Sequence, residues 1–197
     1  MKKSYFTSIV LLICFLQELR SQISYIDSLD RFLAEYVSSH EVVKGNDKKR
    51  LAFFPINKNF RVESIVERVK DGRWFSMETS GINKQTYRVY AILSFSINDT
   101  LVKLNLYQSQ RLMVMDEYKN HLFLPFTDRT SGFNTYETGR YIDFEIEDIK
   151  NSRLVIDFNK AYNPYCAYVD GVYNCPIPPK ENYLPVAITA GEMKYKK

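Results

Sequence analysis

Hydrophobic and polar residues change rhythm along this chain. Ile26, Leu29, Phe32, Leu33, Tyr36 and Val37 recur at three- and four-residue spacing, which predicts an amphipathic helix over about 24 to 39, opened by Ser24 and Asp27. Gly45-Asn46-Asp47 is expected to break it. From Phe60 the period falls to two: Phe60, Val62 and Val66 alternate with Arg61, Glu63 and Glu67, the pattern of a strand with one wet face. The strictest alternation is Tyr87, Val89, Ala91, Leu93, Phe95 and Ile97. It stops at Asn98-Asp99, two residues that tolerate the left-handed backbone of a tight turn, and returns through Leu101 to Tyr107 as a hairpin. Further strands are predicted at His121 to Phe126, Arg140 to Phe144, Arg153 to Phe158 and Tyr183 to Ala190. No long helices alternate with them. The pattern therefore predicts a mainly β fold, an antiparallel barrel, roll or sandwich preceded by one N-terminal amphipathic helix.

The first residues obey a different logic. Lys2 and Lys3 precede an uncharged apolar run from Tyr5 to Leu16, about half of the roughly 20 residues a membrane span requires. This order predicts a secretory signal peptide over 1–21, a single β-rich domain over 22–197, and an exported chain, periplasmic or secreted, with no membrane span after cleavage. Cys14 follows Ile13, whereas a lipid-anchoring cysteine follows a small residue. Composition agrees with a folded domain: 197 residues, 45% hydrophobic and 25% charged with only seven glycines, exclude a disordered or collagenous chain. Loss of Lys2, Lys3, Glu18 and Arg20 takes the formal net charge from +4 to +2. That is too little for a nucleic-acid footprint, so no nucleic-acid partner is expected, and Lys48-Lys49-Arg50 is assigned to a solvated loop.

Without Cys14, an even pair is left, Cys166 and Cys175. A disulfide is the leading reading in an exported chain; two buried thiols and metal ligation are its competitors. With only His40 and His121 to complete a tetrahedral site, no metal is expected, and no cofactor motif is present. The stretch from Pro164 to Pro185 holds five of the seven prolines, so it is not a central strand but a cover over one end or edge of the sheet, or a pocket wall.

Three segments carry a resemblance: FLPFTDRTSGFNTYETGRYIDF at 123–144, DFNKAYNPYCAY at 157–168 and CPIPPKENYLPVAITAGE at 175–192, with FFPINKNFRVE at 53–63 and LNLYQ at 104–108 in support. Together they resemble the bacterial domain-of-unknown-function 1684 family over about residues 25–192. The resemblance implies no activity and brings no catalytic residues.

The chemistry must come from the residues. These motifs concentrate Asp128, Arg140, Asp143, Asn159 and Asn163 among apolar strands, with Thr130, Thr135, Asp157 and Lys160 nearby. Arg140 carries a planar fork of donors suited to a carboxylate or other anion, so these five residues form the candidate site for a small anionic ligand in a barrel-like pocket. Two alternatives stand beside it. Asp128 and Asp143 could serve a small hydrolase as acid and base, or the polar groups could tie down loops in a purely structural or partner-binding domain. No GxSxG, HExxH, phosphate-binding or dinucleotide motif occurs, and catalytic residues are unassigned. His121 is assigned to the surface at a strand start.

Overall fold

A computed structural model describes residues 23–196; the predicted signal segment lies outside the described residues. The chain divides into two compact units, Met1–His40 and Glu41–Lys197. In the first, helix α1 spans 23–39. Tyr25, Ile26, Leu29, Leu33, Tyr36 and Val37 are its less exposed positions, at helical spacing, whereas Phe32, expected on that stripe, is exposed. Ser38 and Ser39 donate their hydroxyls back to the Glu35 carbonyl, competing with the bonds that would extend the helix. The helix ends there, and Gly45-Asn46-Asp47 instead opens a separate 3₁₀ turn, Gly45–Arg50, which carries Lys48-Lys49-Arg50 at its surface.

The second unit is built on eight strands among the described residues: β1 (Arg61–Arg68), β2 (Phe75–Met77), β3 (Gln85–Ile97), β4 (Thr100–Ser109), β5 (His121–Asp128), β6 (Arg140–Glu145), β7 (Arg153–Asp157) and β8 (Tyr183–Leu184). The sheet runs β6-β5-β4-β3-β1-β7 with antiparallel neighbours and curls into a half-barrel; β2 joins β3, and β8 adds two parallel residues to β5. Asn98 and Asp99 take positive φ at the β3–β4 turn, as their side chains allow.

The strict alternation in β3 does not keep to one face. A bulge between Val89 and Ala91 inserts Tyr90, so Tyr87 and Val89 pack on the outer face while Ala91, Leu93, Phe95 and Ile97 point inward. The concave side is filled by these residues with Leu104, Leu106, Leu122, Leu124, Phe126, Ile142, Leu154, Ile156 and Phe158. The outer face carries a smaller aromatic cluster of Tyr87, Tyr107, Phe123 and Tyr141 with Met77.

The predicted strand from Tyr183 to Ala190 is paired only at Tyr183–Leu184. Leu184, Val186, Ile188 and Ala190 do alternate into the core, but the segment plugs the half-barrel as an extended strap bonded largely to side chains. Pro125 sits inside β5 without breaking the sheet because the buried Asn182 amide splices β4 to β5. It donates to the carbonyls of Asn105 and Pro125 and accepts from the Asn105 amide. The proline-rich segment acts as a cover: Thr79 bridges Pro176, Ile177 donates to the Glu78 carbonyl, and Tyr141 bonds the Pro176 carbonyl over the outer aromatic cluster. Within it, Cys166 and Cys175 are joined as a disulfide, with Cα atoms 6.3 Å apart.

Candidate functional site

The five residues singled out in the sequence occupy different environments. Positions 140 and 143 differ by an odd number along β6, so the pleat sends Arg140 inward with Ile142 and Phe144, and Asp143 outward with Tyr141. Arg140 is fully buried. Its Nη2 donates to Asp128 Oδ2 at 3.0 Å and to the Ile188 carbonyl at 2.9 Å; its Nη1 donates to the carbonyls of Ala190 and Glu192. Burial pushes the guanidinium below its ordinary range, while Asp128 pulls it back up. Asp128 Oδ1 accepts from the Thr130 amide and hydroxyl and from the Ile188 amide, so the pair clamps the C-terminal strap from both sides. The expected ligand-facing fork is turned into the protein, against strap carbonyls.

Asn159 is likewise engaged by the backbone. Its side-chain amide pairs with both main-chain groups of Asn57 and with Asp157. The amide of Asn163 meets the Glu192 carboxylate, which also accepts from the Tyr168 hydroxyl, and Asn163 Nδ2 meets the Met193 carbonyl. Gly191, at φ +74, lets the strap pass within van der Waals reach of the Phe158 and Ala161 carbonyls, where a Cβ would meet oxygen at 2.6 Å. Arg140, Asp128, Asn159 and Asn163 are therefore brought together as fasteners of loops and strap. Among the described residues Asp128 and Asp143 share no partner.

Asp143 belongs to another constellation. His121 Nε2 lies 2.9 Å from Asp143 Oδ1, and the Tyr162 hydroxyl donates to Asp143 Oδ2. Burial alone would lower the His121 pKa, but the hydrogen bond and charge of Asp143, helped by Glu145, raise it. His121 Nδ1 is buried and finds no partner among the described residues, so neither ring nitrogen is offered to a substrate. Burial also pushes the Tyr87 and Tyr107 phenols up to about 12, which keeps them protonated at neutral pH. A raised histidine pKa stabilises the fold fully below its ordinary value near 6.5 and ceases to do so as pH rises through the raised value. The stability difference between the parent and His121→Gln, measured by urea unfolding, is expected to be larger at pH 5.5 than at pH 8.5. It should not exceed about 1 kcal/mol, because Asp143 is 42% exposed and solvent screens the pair.

The end strands of the sheet, β6 and β7, do not pair with each other, and a cleft of about 270 Å³ opens between them. Its floor is the rim of the core: Ile142, Phe144 and Leu154. Its walls carry Arg61, Asp143, Asp148, Asp157 and Lys160. Asp148 caps the turn after β6 by accepting from the Glu145 amide, and Asp157 lies 4.0 Å from Arg61. The volume falls just short of the usual small-molecule range of roughly 300–1,000 Å³. Of the residues expected to bind a ligand, Asp143 alone lines this seam. Arg61 and Asp148 were missed because nothing in the sequence says that β6 and β7 end the sheet. Among the described residues no group of three His, Cys, Asp or Glu side chains is placed to hold a metal ion, and no helix is long and apolar enough to cross a membrane.

Comparison with known proteins agrees with the fold and is silent on chemistry. The family described as "Protein of unknown function (DUF1684)" matches residues 47–193. The solution NMR structure of an uncharacterized protein from Haloarcula marismortui is similar with a TM-score of 0.65 and 29% identity, over 90% of this chain and 96% of that one. No curated protein matches.

Proposed function

The chain belongs to the DUF1684 family, and because that family is described only as of unknown function, we propose its role from geometry: an exported domain that binds a small polar ligand in the seam between β6 and β7. The supporting observation is the cleft with an apolar floor and charged walls where the edges of the end strands β6 and β7 face each other. The concave interior, by contrast, is filled by Leu184, Val186, Ile188 and Ala190. Anion recognition moves accordingly from Arg140 to Arg61 and Lys160, and the carboxylate of Asp148, at the other end of the cleft, adds affinity for a cationic group. Export is supported by the Lys2-Lys3 and apolar order of the first residues and by the Cys166–Cys175 pair. A hydrolytic role gains no support from His121, which does not line the cleft and whose Nε2 is engaged by Asp143.

Thermal melts in the presence of millimolar zwitterions, mono-amines and mono-carboxylates test this reading. At least one zwitterion is expected to raise the melting temperature of the parent protein, and the double variant Arg61→Ala/Lys160→Ala is expected to lose that response while melting within about 2 °C of the parent, since both side chains are surface groups. An unchanged response in the double variant would retire the seam.

A further inference from the structure

The backbone around the seam specifies more than its charges do. In an antiparallel ladder the N–H and C=O of one residue point to the same side, and successive residues alternate. Tyr141 turns both groups away from β5 and exchanges two hydrogen bonds with Tyr162, at 2.9 and 3.0 Å. Two residues on, Asp143 must turn its N–H and C=O to the same side, into the cleft. On the opposite wall Arg153 exchanges bonds with Lys150, away from β1, whereas the Ser152 carbonyl accepts from the Val66 amide of β1 and Leu154, two residues on, faces β1 likewise. Val155, the next in that alternation, therefore also presents its N–H and C=O to the cleft, and both Asp143 and Val155 line it. Neither has a ladder partner on that side among the described residues. The gap is bounded by Tyr162 at one end and by the Ile146–Asp148 turn at the other, so it takes a short insert and not a through-running strand.

Resting on the seam as the ligand site, we infer that the ligand is a short peptide, of dipeptide size, whose amide is gripped between the main chains of Asp143 and Val155. It repeats at Asp143 what Tyr162 already does at Tyr141, one step along the same edge. The side-chain charges set its direction. Arg61 pairs in register with Asp157 at the end of β7, with Lys160 following, which suits the peptide carboxylate; Asp148, at the opposite end of the gap, suits the ammonium group. Ile142, Phe144 and Leu154 give a small apolar side chain a floor.

Three probes separate the possibilities in calorimetric titration: alanylalanine, its analogue methylated on the peptide nitrogen, and 5-aminopentanoate, which has the same span and end charges without an amide. Alanylalanine is expected to bind at least about tenfold more tightly than either of the others, the effect of one unmade main-chain hydrogen bond. Val155→Pro, which removes the cleft-facing N–H that would donate to the ligand's amide carbonyl but no bond to β1, is expected to weaken alanylalanine and its methylated analogue alike and to leave 5-aminopentanoate unchanged. Equal binding of all three, weakened by Arg61→Ala/Lys160→Ala, overturns the peptide assignment and leaves the seam as a zwitterion site. Absence of binding by all three overturns both. Because the methylated probe removes the ligand's own amide donor and leaves the protein unaltered, the inference can be judged even if Val155→Pro does not fold.

Discussion

Asp128→Ala is expected to cost about 3–5 kcal/mol of folding stability, because it leaves the guanidinium of Arg140 charged, buried and without its counter-ion. For a unit of this size that is a fall in melting temperature of roughly 10 °C or more. Arg140→Lys should cost a comparable amount: one ammonium group cannot reach Asp128 and also the carbonyls of Ile188, Ala190 and Glu192, which the two Nη atoms serve together. Many buried ion pairs can be replaced together by apolar residues at little loss. Here the double variant Asp128→Leu/Arg140→Met is expected to stay destabilised, since it orphans those three carbonyls and the Ile188 amide. Chemical denaturation of the three variants decides the matter. A near-parental midpoint for Arg140→Lys would mean that the strap is not held by this clamp.

Removal of the Cys166–Cys175 bond is expected to have the next largest effect. Closing a ten-residue segment is worth about 2–3 kcal/mol of unfolded-state entropy. The loss should be felt locally first. The bridge from Thr79 to Pro176 and the bonds joining Ser80, Cys175 and Ile177 hold the cover on the outer aromatic cluster, so their amides should exchange faster on reduction while the β3–β4 ladder stays protected. Thiol labelling of the denatured, unreduced protein should find neither cysteine; two labelled thiols would remove the bond from the account.

Much of this architecture was legible in the residues, and the parts that were not have physical causes. Strands β1 and β3 to β7 were placed to within a few positions because one wall of a half-barrel imposes period two on each of them, whereas the three-residue β2, Phe75–Met77, is too short to show a period and was not foreseen. The face reversal in β3 was not legible, because a bulge changes pairing without disturbing alternation: Tyr87 and Ala91 look equivalent in sequence and lie on opposite sides. The strap from Val186 to Ala190 has strand periodicity and core burial, yet apart from the Val186 carbonyl, which accepts from the Arg129 amide, its hydrogen bonds go to the side chains of Arg140 and Asp128, a substitution that periodicity cannot reveal. The same limit governed the site. Asp128, Arg140, Asn159 and Asn163 stood out as an unusual density of polar groups, but density does not distinguish a ligand pocket from a set of internal fasteners; burial does. Asp143 differed from Arg140 only by the parity of its position, and its partners His121 and Tyr162 come from other segments. Glu192 and Asn182, both buried, lay within the most recognisable motif without any sign of their roles.

The central claim is that the half-barrel is closed to ligands inside and open at its seam. It is tested most directly by mapping amide chemical shifts of the isotopically labelled protein during titration with alanylalanine and 5-aminopentanoate. The account predicts shifts centred on residues 142–144 and 154–157, with Asp143 and Val155 among the largest, and little change from 186 to 192. Shifts centred on 186–192 and on the side-chain resonance of Arg140 would contradict it, since they would place the ligand in the interior that the strap is held to fill.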